Sequence, residues 1–405
     1  MSIEQKPNTF ITNMLLRLIR TYLKSRSEIV IERNDANEIE PPYIILANHV
    51  NNLDPFFINY CIDEPISFIA ADSLFYNPFL KGILDYIGII PKTKRKSDIS
   101  TIRGILKAKK HRRVIGLFPE GNITWDGCFE PIDNATAKLI KLLNIPVVIA
   151  TISGGHLSHP RWAKGHRKGL ISISLVKLWD SEDLKEESIK SIHQKLNDSL
   201  SHDEMEWQSQ NMISYRGRDL ANYLERLLFI CPHCKEPSNL YSDDDLLHCK
   251  NCNYTVRYTA LGTLEQVNYP LYFTTTRDWN RWQLKFLKER ISCLDFKLYW
   301  DRALQDDVKL FISDGASQFK LISIGNLMLK DKSLIFESSR GNEYEFSLED
   351  IRSLNIHLHN NLNFFYKDKL YRLKFYLPRT SAYKWLNALE ALQGLYYNQT
   401  LEDVL

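Results

Sequence analysis

Three groups of residues have the types and spacings that chemistry requires. His49 and Asp54 lie in Asn48-His-Val-Asn-Asn-Leu-Asp54-Pro55, directly after the apolar run Tyr43 to Ala47. An imidazole, with an ordinary pKa of about 6.5, can take a proton from a hydroxyl at neutral pH. A carboxylate on its other nitrogen fixes the tautomer and stabilises the imidazolium that forms. The same residues also suit a purely structural role, because Asp followed by Pro is what a helix start looks like. The second group is Phe118-Pro119-Glu120-Gly121-Asn122-Ile123-Thr124, again just after an apolar run. Gly121 permits a tight turn, Glu120 offers a carboxylate, and Asn122 and Thr124 offer polar groups to a ligand's hydroxyls. On its own, such a turn is an ordinary loop. The third group is Cys231-Pro-His-Cys234 and Cys249-Lys-Asn-Cys252 with fourteen residues between. This is the spacing of a zinc ribbon, whose four thiolates complete a tetrahedral shell. A closed shell leaves no open position for catalysis, so structural Zn is expected.

Charge and composition bound the rest. The chain has 405 residues, 44% hydrophobic and 25% charged, with a formal net charge of +3. That suits a folded multidomain protein and is too little charge to imply a nucleic-acid partner. Asp243, Asp244 and Asp245, between the halves of the ribbon, also argue against nucleic acid. The net charge conceals a cluster, since Pro91 to Arg113 holds ten Lys or Arg against one Asp. Such a segment attracts phosphate oxygens or forms a solvated helix face. Two CxxC pairs with three scattered cysteines suit a reducing compartment. With no signal-peptide pattern and no uninterrupted apolar run of spanning length, a cytoplasmic location, free or peripheral on a membrane face, is expected.

The elements that must position these groups follow from periodicity. Residues 1–29 contain a basic amphipathic helix with Phe10, Ile11, Met14, Leu15, Leu18, Ile19, Tyr22 and Leu23 at helical spacing. It either docks on its own domain or lies in the headgroup plane of an anionic membrane surface. Strands are expected at Tyr43–Ala47, Ile66–Ala71, Val114–Phe118, Val147–Ile152 and Leu170–Val176, with helices between, making residues 30–205 an α/β domain with helices around a mixed sheet. Both chemical loops thus fall at strand ends, where α/β folds place ligands. A linker helix over 206–230, the ribbon at 231–256 and a connecting segment at 257–305 follow. Residues 306–405 give about seven short β-patterned runs closed by a helix from Thr380, an antiparallel barrel or sandwich.

Together, the two loops resemble those of the glycerolipid acyltransferase family typified by lysophosphatidic acid acyltransferases, over roughly residues 30–205. The family's Asn-His-x-x-x-x-Asp block is matched by Asn48, His49 and Asp54, and its Phe-Pro-Glu-Gly block by Phe118 to Gly121. The chain departs from the family in two places. Gly88-Ile-Ile-Pro-Lys-Thr-Lys94-Arg95 leaves Lys94 or Arg95 in the place of a family arginine, and Asn122-Ile123-Thr124 replaces Thr-Arg-Ser. A family block with two prolines is represented by Ile145-Pro146-Val-Val-Ile149. The resemblance implies direct acyl transfer from acyl-CoA or acyl carrier protein to a glycerolipid acceptor. In it His49 is the base and Asp54 its orienting partner, Glu120 and Gly121 position the acceptor, and Lys94 and Arg95 meet its phosphate. The rival reading is a non-catalytic, lipid-binding scaffold. The C-terminal run resembles pleckstrin-homology or GRAM-like domains by its strand count and closing helix.

Overall fold

The computed structural model describes residues 4, 7–76, 78–92, 99–291, 304–313, 319–330 and 332–402. It divides into two compact units, residues 1–161 with 165–217, and residues 162–164 with 218–405.

The first unit follows the order α1 (Thr9–Arg26), β1 (Glu28–Asn34), β2 (Ile44–Ala47), α2 (Asp54–Cys61), β3 (Ile66–Ala71), α3 (Pro78–Ile87), β4 (Ile90–Lys92), α4 (Ile99–Lys110) and β5 (Val114–Leu117). It continues with α5 (Asn134–Leu143), β6 (Val147–Ser153), α6 (Gly155–Ser158), β7 (Leu170–Trp179), α7 (Ser181–Glu186), α8 (Ile189–Leu200) and α9 (Glu204–Asn211). The seven strands form one sheet in the order β1-β7-β6-β2-β5-β3-β4. It is parallel except between β6 and β7. Five of these strands were expected; β1 and β4 were not. β1 is exposed at five of its seven residues on the sheet edge and has only Ile29-Val30-Ile31 as an apolar stretch, and β4 has only three residues, so neither shows the run of a buried strand.

The apolar run of β2 is continuous because both sheet faces are covered. Ile45 and Ala47 pack into a core with α1 and α2, whereas Ile44 and Leu46 join Ile105, Ile140 and Leu196 of α4, α5 and α8 on the other face. α1 packs one stripe on its own domain and leaves another exposed. Leu16 and Leu23 are buried, while Phe10, Ile11, Met14, Leu18 and Tyr22 stay exposed at 40–78% of their full surface. Asn8 caps its start, its side chain accepting the N–H groups of Phe10 and Ile11.

The expected linker helix over 206–230 forms only as far as Asn211. Met212 leaves the helix with a left-handed backbone (φ 51°), and a single 3-10 turn, Leu224–Arg226, follows. Leu220, Leu224, Leu227 and Leu228 are all buried, the pattern of packed irregular chain and not of one helical stripe.

In the second unit β8 (Leu240–Asp243), β9 (Leu246–Cys249), β10 (Thr255–Tyr258) and β11 (Leu264–Gln266) form a four-stranded antiparallel sheet, followed by α10 (Thr276–Ile291). The chain then runs through β12 (Gln305–Ser313), β13 (Phe319–Lys330), β14 (Ser333–Ser338), β15 (Glu343–Ser347), β16 (Ile351–His357), β17 (Asn361–Tyr366), β18 (Lys369–Phe375) and α11 (Ala382–Glu402). These strands make a curled antiparallel sheet in the order β15-β14-β13-β12-β18-β17-β16. The expectation of a closed barrel or a sandwich is corrected to a half-barrel, since β15 and β16 are unpaired edges of one sheet. α11 closes it from the side, burying Trp385, Ala388 and Leu389. Lys384 Nζ and Trp385 Nε1 both donate to Asp306 Oδ2, at 3.0 and 2.6 Å.

Candidate active site

His49 and Glu120 follow the ends of β2 and β5, which are adjacent parallel strands, so their loops meet at one edge of the sheet. Asn48 fixes the exit from β2. Its side chain donates to the Ile152 carbonyl at 2.9 Å and accepts the Ile152 N–H at 2.8 Å, adding two bonds to the β2–β6 ladder. Asn51 Nδ2 donates to the Gly155 carbonyl at 2.9 Å, securing the next turn.

Between these anchors His49 Nδ1 lies 2.7 Å from Asp54 Oδ2. The same oxygen accepts the backbone N–H groups of Val50 (2.7 Å) and Asn51 (2.9 Å). Asp54 is therefore not a helix cap. Leu53 occupies that position, and the carboxylate reaches back into the histidine loop. Asp54 is fully buried, and among the described residues no donor meets its Oδ1. Burial pushes its carboxyl above the usual range, and the donors gathered on Oδ2 oppose that shift. With Nδ1 committed to Asp54, Nε2 is the ring nitrogen left for a substrate.

The histidine ring is held in a stack. Phe118 lies on it at 4.3 Å between centroids and 22° between planes, and Phe68 lies on Phe118 at 5.6 Å and 9°. Gly116 makes room for this stack, because a Cβ there would sit 2.3 Å from Phe68 Cδ1. Gly116→Ala should cost ~1–3 kcal/mol by overpacking, read from denaturant midpoints. It should also displace the Phe68 ring that supports Phe118 and, through it, His49. Unchanged stability would mean that Phe68 has room to move.

Glu120 is half-buried, with both carboxylate oxygens engaged. Oε1 accepts the His49 N–H at 2.8 Å and Oε2 accepts the Glu130 N–H at 3.1 Å. Burial raises its pKa from 4.5 to about 8, against those two bonds. Between these values the folded chain holds a proton that the unfolded chain has lost. Stability should therefore fall as pH rises from about 4.5 to about 8. Glu120→Gln should abolish that slope. It should also destabilise by ~1–3 kcal/mol, because an amide NH2 faces one of the two backbone donors. Denaturant titrations of both proteins across this range test the prediction, and parallel pH slopes would defeat it.

The remaining expected residues divide. Gly121 has the left-handed backbone (φ 73°) that closes the turn, and open space where a Cβ would stand. Asn122 is exposed beside it. Thr124 is buried. Its N–H donates to the His49 carbonyl at 2.9 Å, and its Oγ1 accepts the Gly127 N–H at 3.1 Å. Lys94 and Arg95 lie outside the described residues. Arg161 was not singled out in the sequence. Its guanidinium donates to the Ile123 carbonyl at 2.7 Å and lies 4.5 Å from the Trp125 ring, holding the same loop. No spacing rule links residue 161 to residue 123.

Residues 25–153 match the Acyltransferase family model. That span contains His49, Asp54, Glu120 and Gly121 and lies within the mixed sheet of the first unit. Two curated relatives, both named 1-acyl-sn-glycerol-3-phosphate acyltransferase, are similar to the chain. One, from Saccharomyces cerevisiae, is 27% identical over 172 residues, covering 41% of this chain and 56% of that protein. The other, from Borreliella burgdorferi, is 32% identical over 80 residues, covering 19% and 32%. The chain thus spans about half the length of the yeast relative and a third of the other. The crystal structure of the 1-acyl-sn-glycerophosphate acyltransferase PlsC from Thermotoga maritima is similar at a TM-score of 0.41 and 18% identity, over 47% of this chain and 78% of that one.

In the second unit Cys231, Cys234, Cys249 and Cys252 bring their sulfurs within 4.8 Å of one another. The Cys231–Cys252 and Cys234–Cys249 separations are both 3.7 Å. That is the edge of a tetrahedron whose corners lie about 2.3 Å from its centre, the Zn–thiolate distance. The donor set and its dimensions fit zinc.

Proposed function

We propose that the acyltransferase domain moves a fatty acyl group from acyl-CoA or acyl carrier protein to the free hydroxyl of lysophosphatidate or a related glycerolipid. The observation that carries this reading is the 2.7 Å contact between His49 and a buried Asp54 within the family's span. His49 Nε2 takes the proton of the acceptor hydroxyl as that oxygen bonds to the thioester carbonyl carbon. Collapse of the tetrahedral intermediate breaks the C–S bond, and the departing thiolate recovers the proton from His49. Asp54 stabilises the imidazolium between these two transfers, and no acyl-enzyme forms. Glu120 and Thr124 hold the His49 loop. Gly121 and Asn122 face the acceptor, and Lys94 and Arg95 meet its phosphate.

The exposed stripe of α1, flanked by Arg17, Lys24 and Arg26, supports a peripheral site on an anionic membrane surface, at its cytoplasmic face. Among the described residues no helix is long and apolar enough to cross a membrane. The four cysteines hold structural zinc, which cross-links the ribbon and takes no part in acyl transfer. The half-barrel with its closing helix supports a pleckstrin-homology or GRAM-like unit.

The test supplies radiolabelled acyl-CoA or acyl carrier protein and a panel of lysophospholipids in anionic liposomes. Labelled phosphatidate is the expected product. Liposome binding with no product from any donor–acceptor pair would replace this reading with that of a lipid-binding scaffold.

A further inference from the structure

The face of the half-barrel sheet turned away from its core carries a charge arrangement that acyl transfer does not use. Lys309 on β12 stands directly opposite Lys374 on β18, and two residues along Phe311 stands opposite Arg372. The row through the lysines reads Ile324, Lys309, Lys374, Asn361; the next reads Leu321, Phe311, Arg372, Asn363. Neither row contains a carboxylate. Like charges directly opposite on paired strands repel, and Lys309 and Lys374 have no ion pair among the described residues. The nearest acid in register, Asp307, lies in the adjoining row beside Asn326 and Tyr376. Alternation fixes which way the cations face, because Val308, Leu310, Leu373 and Phe375 on the same two strands are fully buried in the half-barrel core.

Apolar side chains surround these cations and are also exposed. Leu321 keeps 51% of its surface, Ile324 41% and Tyr376 59%. Lys309 Nζ lies 5.5 Å from the Tyr376 ring, and Arg372 stacks 3.8 Å from the Phe319 ring while donating to Asn363 Oδ1 at 2.8 Å. A soluble anion would account for the lysines but not for the apolar side chains around them. An anionic bilayer accounts for both, its phosphates offsetting the repulsion and its interfacial layer taking up the apolar groups.

We propose that this face of the second unit docks on a bilayer containing anionic phospholipid. Lys309, Lys374 and Arg372 meet the headgroup phosphates, and Leu321, Ile324 and Tyr376 enter the interface. The inference rests on the membrane part of the proposed function, to which it adds a second contact beyond α1, and is independent of the chemistry at His49.

The test compares the full chain with the double variant Lys309→Gln/Lys374→Gln by co-sedimentation with vesicles of phosphatidylcholine, with and without phosphatidylserine. At about 1 kcal/mol for each basic residue near an anionic surface, the variant should bind the serine-containing vesicles on the order of thirtyfold more weakly. Binding to pure phosphatidylcholine should be unchanged. The thermal midpoint should stay level or rise, because a repelling pair has been removed. Equal binding of both proteins to phosphatidylserine vesicles overturns the proposal while leaving the α1 contact standing. No vesicle binding by the wild type sinks both. If vesicle binding is kept but retention on an acidic polypeptide column is lost, the face belongs to an acidic protein partner, and the bilayer proposal fails.

Discussion

Replacing His49 with alanine is expected to lower kcat for acyl transfer by ~10²–10⁴-fold, the contribution of a positioned general base. KM for the acyl donor should change little, because in the proposed mechanism the ring acts on the acceptor hydroxyl and not on the donor's carrier. The variant loses the stack on Phe118 and the bond to Asp54 Oδ2, but Oδ2 keeps the Val50 and Asn51 N–H groups, so the loop has reason to persist. Asp54→Asn makes the complementary point. An asparagine oxygen in the place of Oδ2 can still accept those two N–H groups and the His49 ring proton, while its NH2 takes the buried place of Oδ1 and the negative charge beside the ring is lost. Without that charge the imidazolium formed in the proposed mechanism is no longer stabilised, so kcat should fall with the fold intact. Steady-state kinetics beside circular dichroism of each variant decide the matter. Turnover within a few-fold of wild type for His49→Ala would remove His49 from the chemistry.

Cys249→Ser, or removal of metal by a strong chelator, is expected to unfold the ribbon and with it much of the second unit. Zinc bound by four thiolates in small modules contributes about 10–16 kcal/mol, as much as the whole stability of a typical domain, about 5–15 kcal/mol. Cys231 and Cys249 are fully buried, and β9, which ends at Cys249, and its partner β8 are only four residues long, too short to hold without the cross-link. Metal analysis of the purified chain should find zinc, lost in the serine variant. Fluorescence of Trp279, buried beside Tyr254 and donating from Nε1 to the Ile230 carbonyl at 2.9 Å, should report the unfolding. A chain without bound zinc, whose thermal midpoint ignores the chelator, would refute the assignment.

The sequence exposes the frame of the loops that carry His49 and Glu120, because strands buried on both faces stand out as unbroken apolar runs and the loops follow them directly. β1 and β4 escape that reading through their exposed or three-residue patterns. The 206–230 segment misleads for the opposite reason. Its four leucines are buried from several directions by irregular chain, and leucine spacing alone cannot tell this from one helical face. Single residues are harder still. That His49 and Asp54 touch follows from a five-residue turn and is legible. That Glu120 spends both oxygens on the backbone of residues 49 and 130 depends on a fold that joins distant segments. The same holds for Arg161 on the Ile123 carbonyl. Half-barrel and closed barrel look alike in sequence, because strand count and alternation say nothing about whether the last edge finds the first.

The second unit is tied together across its own sequence. Arg226 donates to the Pro378 carbonyl, 152 residues away, and Arg379 to Glu225, 154 residues away. Ser381 and Lys384 add bonds to the Arg226 carbonyl and to Ser238. On the ribosome, then, the ribbon emerges long before the guanidinium that pairs with Glu225 has been made. For that interval its buried face has only its four cysteines and its own short hairpins to organise it. The unit can close only once the segment around Arg379 has been made, so until then the cysteine hairpins are the part of it that short-range contacts can organise.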